Sequence, residues 1–205
     1  MKLCEQNLRL ARAQGAPGEA DVAEGDARRL RSVLSRAFAR MAEFRGRVDL
    51  IVTSPPYENR EPKVNGSRGV FDTEAFRRLK ADYLAQSDPR SLARLSGARY
   101  MTEMAGVYAE CFAVLRPGGF IAVAVRDAWR RGRLMALPWQ TITLCEQAGF
   151  HLYQHNVAVL AAVRGAELAP RASFWQLLHL RRARTQGEPL SLVAHEDVLI
   201  FRRPQ

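Results

Sequence analysis

Lysine, paired cysteine, Gly-x-Gly turns and long apolar runs are all scarce or missing in this chain, and each shortage excludes something. Only Lys2, Lys63 and Lys80 are lysine; the other 28 of the 31 basic residues are arginine. GC-rich coding can produce that bias alone, but not the excess of basic over acidic residues, a net charge of +10 with a pI near 10.3. Such a balance fits a polyanionic partner, and the planar guanidinium is the better phosphate fork. Cys4, Cys111 and Cys145 are odd in number and form no Cys-x-x-Cys pair, which argues against a disulfide framework and for reduced thiols. His151, His155, His179 and His195 lack the spacing of a zinc site, so no metal is expected. No apolar run reaches the roughly 20 residues of a membrane span, and Met1 to Gln6 carries no signal-peptide core. The expectation is a cytoplasmic protein with no membrane contact.

What is present is ordinary for one globular domain: 205 residues, 47% hydrophobic and 25% charged. Apolar spacing predicts helices over 3–14, 28–44, 73–84 and up to about Leu115, and over 139–148. Strands are predicted at 20–24, 48–53 and 120–125, within 150–163, and at 198–201. Arg116-Pro117-Gly118-Gly119 reads as a tight turn, 127–137 as a basic loop, and 166–188 as irregular and then helical. Alternating helix and strand argues an α/β sheet.

The run Val48-Asp49-Leu50-Ile51-Val52 ends in Thr53-Ser54-Pro55-Pro56-Tyr57. Neither proline has an N–H and each fixes its own φ, so a buried strand stops there and becomes a rigid turn carrying a hydroxyl, carbonyls and an aromatic ring. The carboxyl end of a strand in an open α/β sheet is where such folds place their chemistry. With Asp49 just inside the strand, the string resembles the (Ser/Asp/Asn)-Pro-Pro-(Tyr/Phe/Trp) motif of methyltransferases that use S-adenosylmethionine on exocyclic amino groups of nucleic-acid bases. Serine in first place is most similar to the cytosine-N4 DNA enzymes; aspartate or asparagine is commoner in the adenine-N6 and RNA guanine-N2 groups.

The resemblance implies roles for these residues. An exocyclic amine is a poor nucleophile because its lone pair is delocalised into the ring. Acceptors on both amino hydrogens favour a more tetrahedral nitrogen, and preorganised groups of this kind are worth a few kcal/mol of barrier. Ser54 Oγ and the Pro55 carbonyl are the candidate acceptors, Pro56 stiffens the turn, and Tyr57 would stack on a base taken out of the duplex. No cysteine nucleophile is required.

Further segments extend the resemblance. Val114-Leu115-Arg116-Pro117-Gly118-Gly119-Phe120 is similar to the turn before the fifth strand of the class I methyltransferase fold. Gly149-Phe150 and His195 to Arg202 are similar to the approach to its last two strands. Glu24-Gly25-Asp26-Ala27 is similar to the third motif, whose acidic residue helps hold the adenine of the cofactor. The implied fold is a Rossmann-like class I methyltransferase domain: α/β, a mostly parallel sheet and an antiparallel C-terminal strand. Asp26 and Thr53 become candidate contacts to S-adenosyl-L-methionine, although a helix N-cap is an equally good role for Asp26.

The family's cofactor loop, a Gly-x-Gly turn after the first strand, has no counterpart before or after the catalytic motif. The first two strands of the fold are therefore expected to be missing from residues 1–205, leaving a single partial domain. A second chain supplying the glycine-loop half, a misplaced start codon or a degenerate remnant that keeps nucleic-acid affinity would each account for that. The expected partner is DNA, with RNA as the alternative. Arg60, Arg130, Arg131 and Arg133 are candidate phosphate contacts, and 58–97 and 164–194 are possible substrate-recognition insertions. Trp129, Phe174 and Trp175 are candidates for base stacking or for packing, and Asp127, just past a buried strand, is a candidate contact at the catalytic rim.

Overall fold

The computed structural model describes residues 2–37, 47–56, 90–127, 129–130, 133–171, 174–188 and 190–205. Its elements in chain order are α1 (Lys2–Ala13), α2 (Leu30–Ala37), β1 (Val48–Thr53), α3 (Gly97–Val114), β2 (Leu115–Val125), β3 (Trp129–Arg130), β4 (Arg133–Leu134), α4 (Leu137–Gln147), β5 (His151–Val159), β6 (Ala161–Arg164), β7 (Glu167–Pro170), α5 (Phe174–Thr185) and β8 (His195–Arg202). Short 3₁₀ turns at Ala27–Arg29 and Leu92–Arg94 precede α2 and α3.

The main sheet has the order β1-β2-β8-β5. β1 and β2 are parallel, β8 runs antiparallel to β2, and β5 runs antiparallel to β8. Three strands therefore share one direction and the C-terminal strand opposes them, a mixed α/β sheet. Alternation decides which residues enter the core. Ile121, Val123 and Val125 of β2 and Leu199 and Phe201 of β8 point to one face, where they are buried against Tyr100, Met104, Tyr108 and Cys111 of α3 and Ile142, Leu144 and Cys145 of α4. Phe150, edge-on to Phe112 with ring centroids 5.1 Å apart, closes this core. Each large apolar side chain so buried contributes about 1.5–3 kcal/mol.

Arg116 to Gly119 does not form the tight turn expected of Pro-Gly-Gly but lies within β2 as a wide bulge. Val48 pairs with Leu115 and Leu50 with Phe120, so four residues of β2 face the single residue Asp49. Gly118 takes φ +75°, which favours glycine. Gly119 lies so close to β1 that a Cβ there would stand 3.1 Å from the carbonyls of Val48 and Asp49. Behind the bulge, Gly118 N–H donates to Arg203 O (3.0 Å) and Arg203 N–H to Gly119 O (2.8 Å). The Arg203 guanidinium stacks on Phe112 and donates to the carbonyls of Phe112 and Leu115, fastening the chain end under α3.

Three other expectations change. Residues 20–24 form no strand; the segment leads into the 3₁₀ turn, with no neighbouring strand to pair with among the described residues. The basic loop at 127–137 holds the β3–β4 hairpin, and 150–163 holds two strands, because β6 leaves the main sheet to pair with β7. The helix predicted over 28–44 is described as α2 to Ala37, and that predicted over 73–84 lies outside the described residues. Among the described residues no helix is long and apolar enough to cross a membrane.

Candidate functional site

β1 delivers the Ser-Pro-Pro turn to the edge of the sheet where β2 also ends and β8 begins, because β1 and β2 are parallel and β8 opposes them. Thr53, half-buried, is the last paired residue of β1, opposite Val123. Ser54 and Pro56 are exposed and Pro55 is half-buried over α3 and α4, lining a small pocket with Tyr100, Met104, Tyr108, Val125 and Thr141. Tyr100, 6% exposed, donates its hydroxyl to the Pro56 carbonyl at 2.8 Å. The turn is thus held twice, by its proline rings and by a phenol rising from the core. Among the described residues no hydrogen bond engages Ser54 Oγ or the Pro55 carbonyl. Tyr57 and Arg60 lie outside the described residues.

Tyr100 was visible in the sequence only as one apolar position of a helix. Its spacing with Met104, Tyr108 and Cys111 places it on the core stripe, and nothing in that spacing says that its hydroxyl meets a carbonyl 44 residues earlier. The buried position of Tyr108 works differently. Burial holds its phenol well above the ordinary range.

Further along the same edge, Asp127 follows β2. Its Oδ1 accepts from Leu137 N–H at 2.8 Å, capping the start of α4 across the hairpin. Burial raises its pKa, the hydrogen bond from Leu137 opposes that, and the nearby Asp197 carboxylate adds to the rise. Ala136, just before α4, is left at φ 50°, a left-handed conformation a non-glycine residue adopts at a cost. Buried Asp197 bonds His155 Nε2 at 2.6 Å, with His195 Nε2 3.8 Å away on the other side. These two histidines serve a carboxylate in the sheet. Among the described residues no group of three or more His, Cys, Asp or Glu is disposed to hold a metal ion.

The β3–β4 hairpin pairs Arg130 with Arg133 in register, so one rung of this short ladder carries two arginines, and Arg133 is exposed. Arg131 and the side chains of Trp129 and Arg130 lie outside the described positions, as do the side chains of Phe174 and Trp175.

Asp26 is not brought to the turn as a free carboxylate. It caps the 3₁₀ turn by accepting from Arg28 N–H (3.0 Å), and both its oxygens are bonded by the Arg28 guanidinium, at 2.9 Å and 2.7 Å. The Arg28 hydrogen bond holds the Asp26 carboxyl below its usual range. Arg28 also donates to Glu103 Oε2 at 3.1 Å, tying the segment to α3. Asp49 likewise sits away from the turn. It is at the opposite end of β1, paired with Arg116.

No family model matches the chain, and no curated protein matches its sequence. Solved structures do. TTHA0409 of Thermus thermophilus, named as a candidate DNA modification methylase, superposes in its complex with S-adenosyl-L-methionine at a TM-score of 0.45 and 22% identity, over 88% of this chain and 54% of that one. The cytosine-N4-specific PvuII DNA methyltransferase superposes at 0.46 and 12% identity, over 78% and 45%. The chain spans about half the length of these structures. The overlap is too loose to carry residue roles across.

The described residues make one side of a pocket. A rigid turn with two open acceptors stands at a sheet edge, with an arginine hairpin along the rim. Asp26 is bonded by Arg28, and among the described residues no strand pairs with the outer edge of β1.

Proposed function

We propose that this chain carries the catalytic corner of an S-adenosyl-L-methionine-dependent enzyme that methylates an exocyclic amino group of a DNA base, cytosine N4 in preference to adenine N6. The observation that carries the reading is the division of labour within the turn. Tyr100 takes the Pro56 carbonyl, which leaves Ser54 Oγ and the Pro55 carbonyl as fixed acceptors at the end of a parallel strand. Two acceptors of fixed spacing suit the two hydrogens of an amino group, and holding them draws electron density onto nitrogen. Pro55 over the apolar pocket gives the base an unwetted floor, and Arg130 and Arg133 meet the phosphates that flank it. The cofactor would bring the methyl group as a sulfonium. With Asp26 engaged by Arg28, Thr53 is the remaining candidate contact to it in this chain.

The domain reads as the later part of a Rossmann-like class I methyltransferase fold, its glycine-loop half lying outside residues 1–205. The segments 58–97 and 164–194 are the proposed places for sequence recognition.

The test is calorimetric titration of S-adenosyl-L-methionine into the chain, alone and with a glycine-loop half added, followed by methyl transfer to a cytosine-containing oligodeoxynucleotide. Binding and N4 transfer only in the reconstituted pair are expected, with Ser54→Ala lowering transfer about 10²-fold, the usual scale for losing one preorganised hydrogen-bonding group. Transfer to RNA guanine instead would replace the substrate. No transfer alongside tight nucleic-acid binding would make the chain a non-catalytic binding module, a reading favoured by the Asp26–Arg28 pair.

A further inference from the structure

β5 runs in the same direction as β1, so its carboxyl end lies at the end of the sheet that also holds the Ser54 turn. From there the chain passes into the β6–β7 ribbon. Two main-chain bonds fix its root. Leu160 N–H donates to Ala194 O, just ahead of β8, at 2.8 Å, and Arg171 N–H closes back onto Leu160 O at 2.7 Å. The sheet order places β5 three strands from β1, about 14 Å at the usual strand spacing. That is about four base-pair steps, so one duplex can lie across both the turn and the ribbon.

The two faces of the ribbon differ. Val163 pairs with Leu168 on one rung and Arg164 with Glu167 on the next. Successive rungs point to opposite faces, so one face carries the apolar pair and the other the charged pair. Val163 is 75% exposed and Leu168 67%. The ribbon is closed by Gly165 and Ala166, with Gly165 at φ +62°, a tip that adds little bulk. Among the described residues no third strand pairs with either of its edges. A solitary two-stranded ribbon is marginal in water, and this one leaves its largest apolar side chains in solvent. It gains from a surface that receives it.

Duplex DNA fits both its shape and its charge. The strands of a ribbon are about 5 Å apart, and the major groove of B-DNA, about 12 Å wide, admits such a ribbon with its side chains. The group on the groove floor that an apolar pair recognises is the C5-methyl of thymine. Exposed Arg164 and Arg171 stand at the tip and the root of the ribbon, where they can meet phosphates on the groove walls. Glu167 is on the other face, clear of the groove floor. A second copy of a chain with net charge +10 is repelled from the same surface. A-form RNA has a major groove too deep and narrow to admit the ribbon.

We propose that the β6–β7 ribbon lies in the major groove of duplex DNA beside the target base, with Val163 and Leu168 against thymine methyl groups and Arg164 and Arg171 on the flanking phosphates. The proposal deepens the reading of a DNA substrate and rests on it for the choice of DNA over other polyanions.

The probes are three pools of random-sequence duplexes: DNA with thymine, DNA with uracil in place of thymine, and RNA. Each is titrated into the full 205-residue chain and followed by fluorescence anisotropy. The thymine pool is expected to bind about threefold tighter than the uracil pool and about tenfold tighter than the RNA pool. Val163→Ser with Leu168→Ser should abolish the thymine preference. Both side chains are mainly exposed, so a matching thermal melt will show that the variant folds. Arg171→Gln should weaken both DNA pools alike, keep the thymine preference, and lower the slope of log affinity against log salt by about one. Equal binding of the thymine and uracil pools by the wild type overturns the proposal without recourse to any variant. So does a preference that survives Val163→Ser with Leu168→Ser, a salt slope unmoved by Arg171→Gln, or RNA bound as tightly as DNA. Self-association dissolved by the double substitution also overturns it, by assigning the face to a second copy. A thymine preference carried by Val163 and Leu168, in a chain that transfers no methyl group even with a glycine-loop half added, leaves the ribbon standing and sinks the methyltransferase reading. Methyl transfer to DNA that is indifferent to the double substitution and to uracil does the reverse.

Discussion

Tyr100→Phe isolates the contact that holds the catalytic turn. The substitution keeps the aromatic ring in the core and removes one hydroxyl, the donor to Pro56 O at 2.8 Å. A typical intramolecular hydrogen bond has a net worth of about 1 kcal/mol, and orphaning a buried carbonyl costs about 1–3 kcal/mol. Pro56 is exposed, so its carbonyl can turn to water and the loss falls at the lower end, about 0.5–1 kcal/mol. For a domain of this size that is about 2–3 °C in Tm, measured by far-UV circular dichroism. The sharper readout is local. Amide exchange at Ser54 should speed up about fivefold, the kinetic image of about 1 kcal/mol, while amides in α4 stay as they were. Tyr108→Phe is the comparison. It strips a hydroxyl from a fully buried side chain of the same helix, so any effect should be global and leave Ser54 exchange relative to the global opening unchanged. Unaltered Ser54 exchange in Tyr100→Phe, or an equal increase in Tyr108→Phe, would refute the argument that Tyr100 positions the turn.

Three other outcomes follow from the geometry. Gly119→Ala would bring a Cβ to 2.9 Å from Arg116 O and 3.1 Å from two β1 carbonyls, all backbone atoms that cannot swing aside; a loss of about 2–3 kcal/mol is expected from urea denaturation, with β1 amides deprotected. Ala136→Gly relieves the left-handed backbone at φ 50° and should stabilise the chain by about 0.5–1 kcal/mol after glycine's entropy cost, seen as a higher urea midpoint. Arg28 keeps the Asp26 carboxyl below its usual range, so the stabilisation it gives is present above the unfolded pKa, near 4, and is lost as pH falls through the lower folded value. The pair is partly exposed, which limits its worth to about 0.5 kcal/mol; the difference between wild type and Asp26→Asn in urea midpoints should shrink at acid pH and in high salt.

Much of the architecture was legible from local physics. Two consecutive prolines after a run of strand residues can only end a strand, and β1 does end at Thr53. The apolar run at 120–125 forms an inner strand, though it is buried at 121, 123 and 125 and only half-buried at 120, 122 and 124 rather than on both faces, and the C-terminal strand opposes its neighbours. The misreadings share a cause. Pro-Gly-Gly is turn chemistry in isolation, yet Arg203 and the β1 carbonyls hold it inside a strand as a bulge. Residues 20–24 have the apolar alternation of a strand, but a strand exists only where a neighbour offers a ladder. Asp49 looked like part of the motif because it stands so near Thr53 in the sequence; at about 3.3 Å per residue a strand carries it roughly 13 Å away, to a different end of the sheet.

By itself, the sequence determined a rigid, proline-locked turn carrying a serine at the end of an apolar strand, in a basic α/β chain without a Gly-x-Gly motif; that this strand would lie at the sheet edge with Leu50 and Val52 exposed was not legible. The legible features are consequences of covalent geometry, residue type and order, and they hold wherever the chain goes. Only the tertiary structure decided what surrounds the turn. It put Tyr100 under Pro56, committed Asp26 to Arg28, and set Arg130 opposite Arg133 in register. It also left the edge of β1 bare among the described residues, with Leu50 and Val52 facing outward and Arg202 Nε unsatisfied. These are meetings between residues far apart in the chain, set by sheet order and packing, which no local pattern encodes.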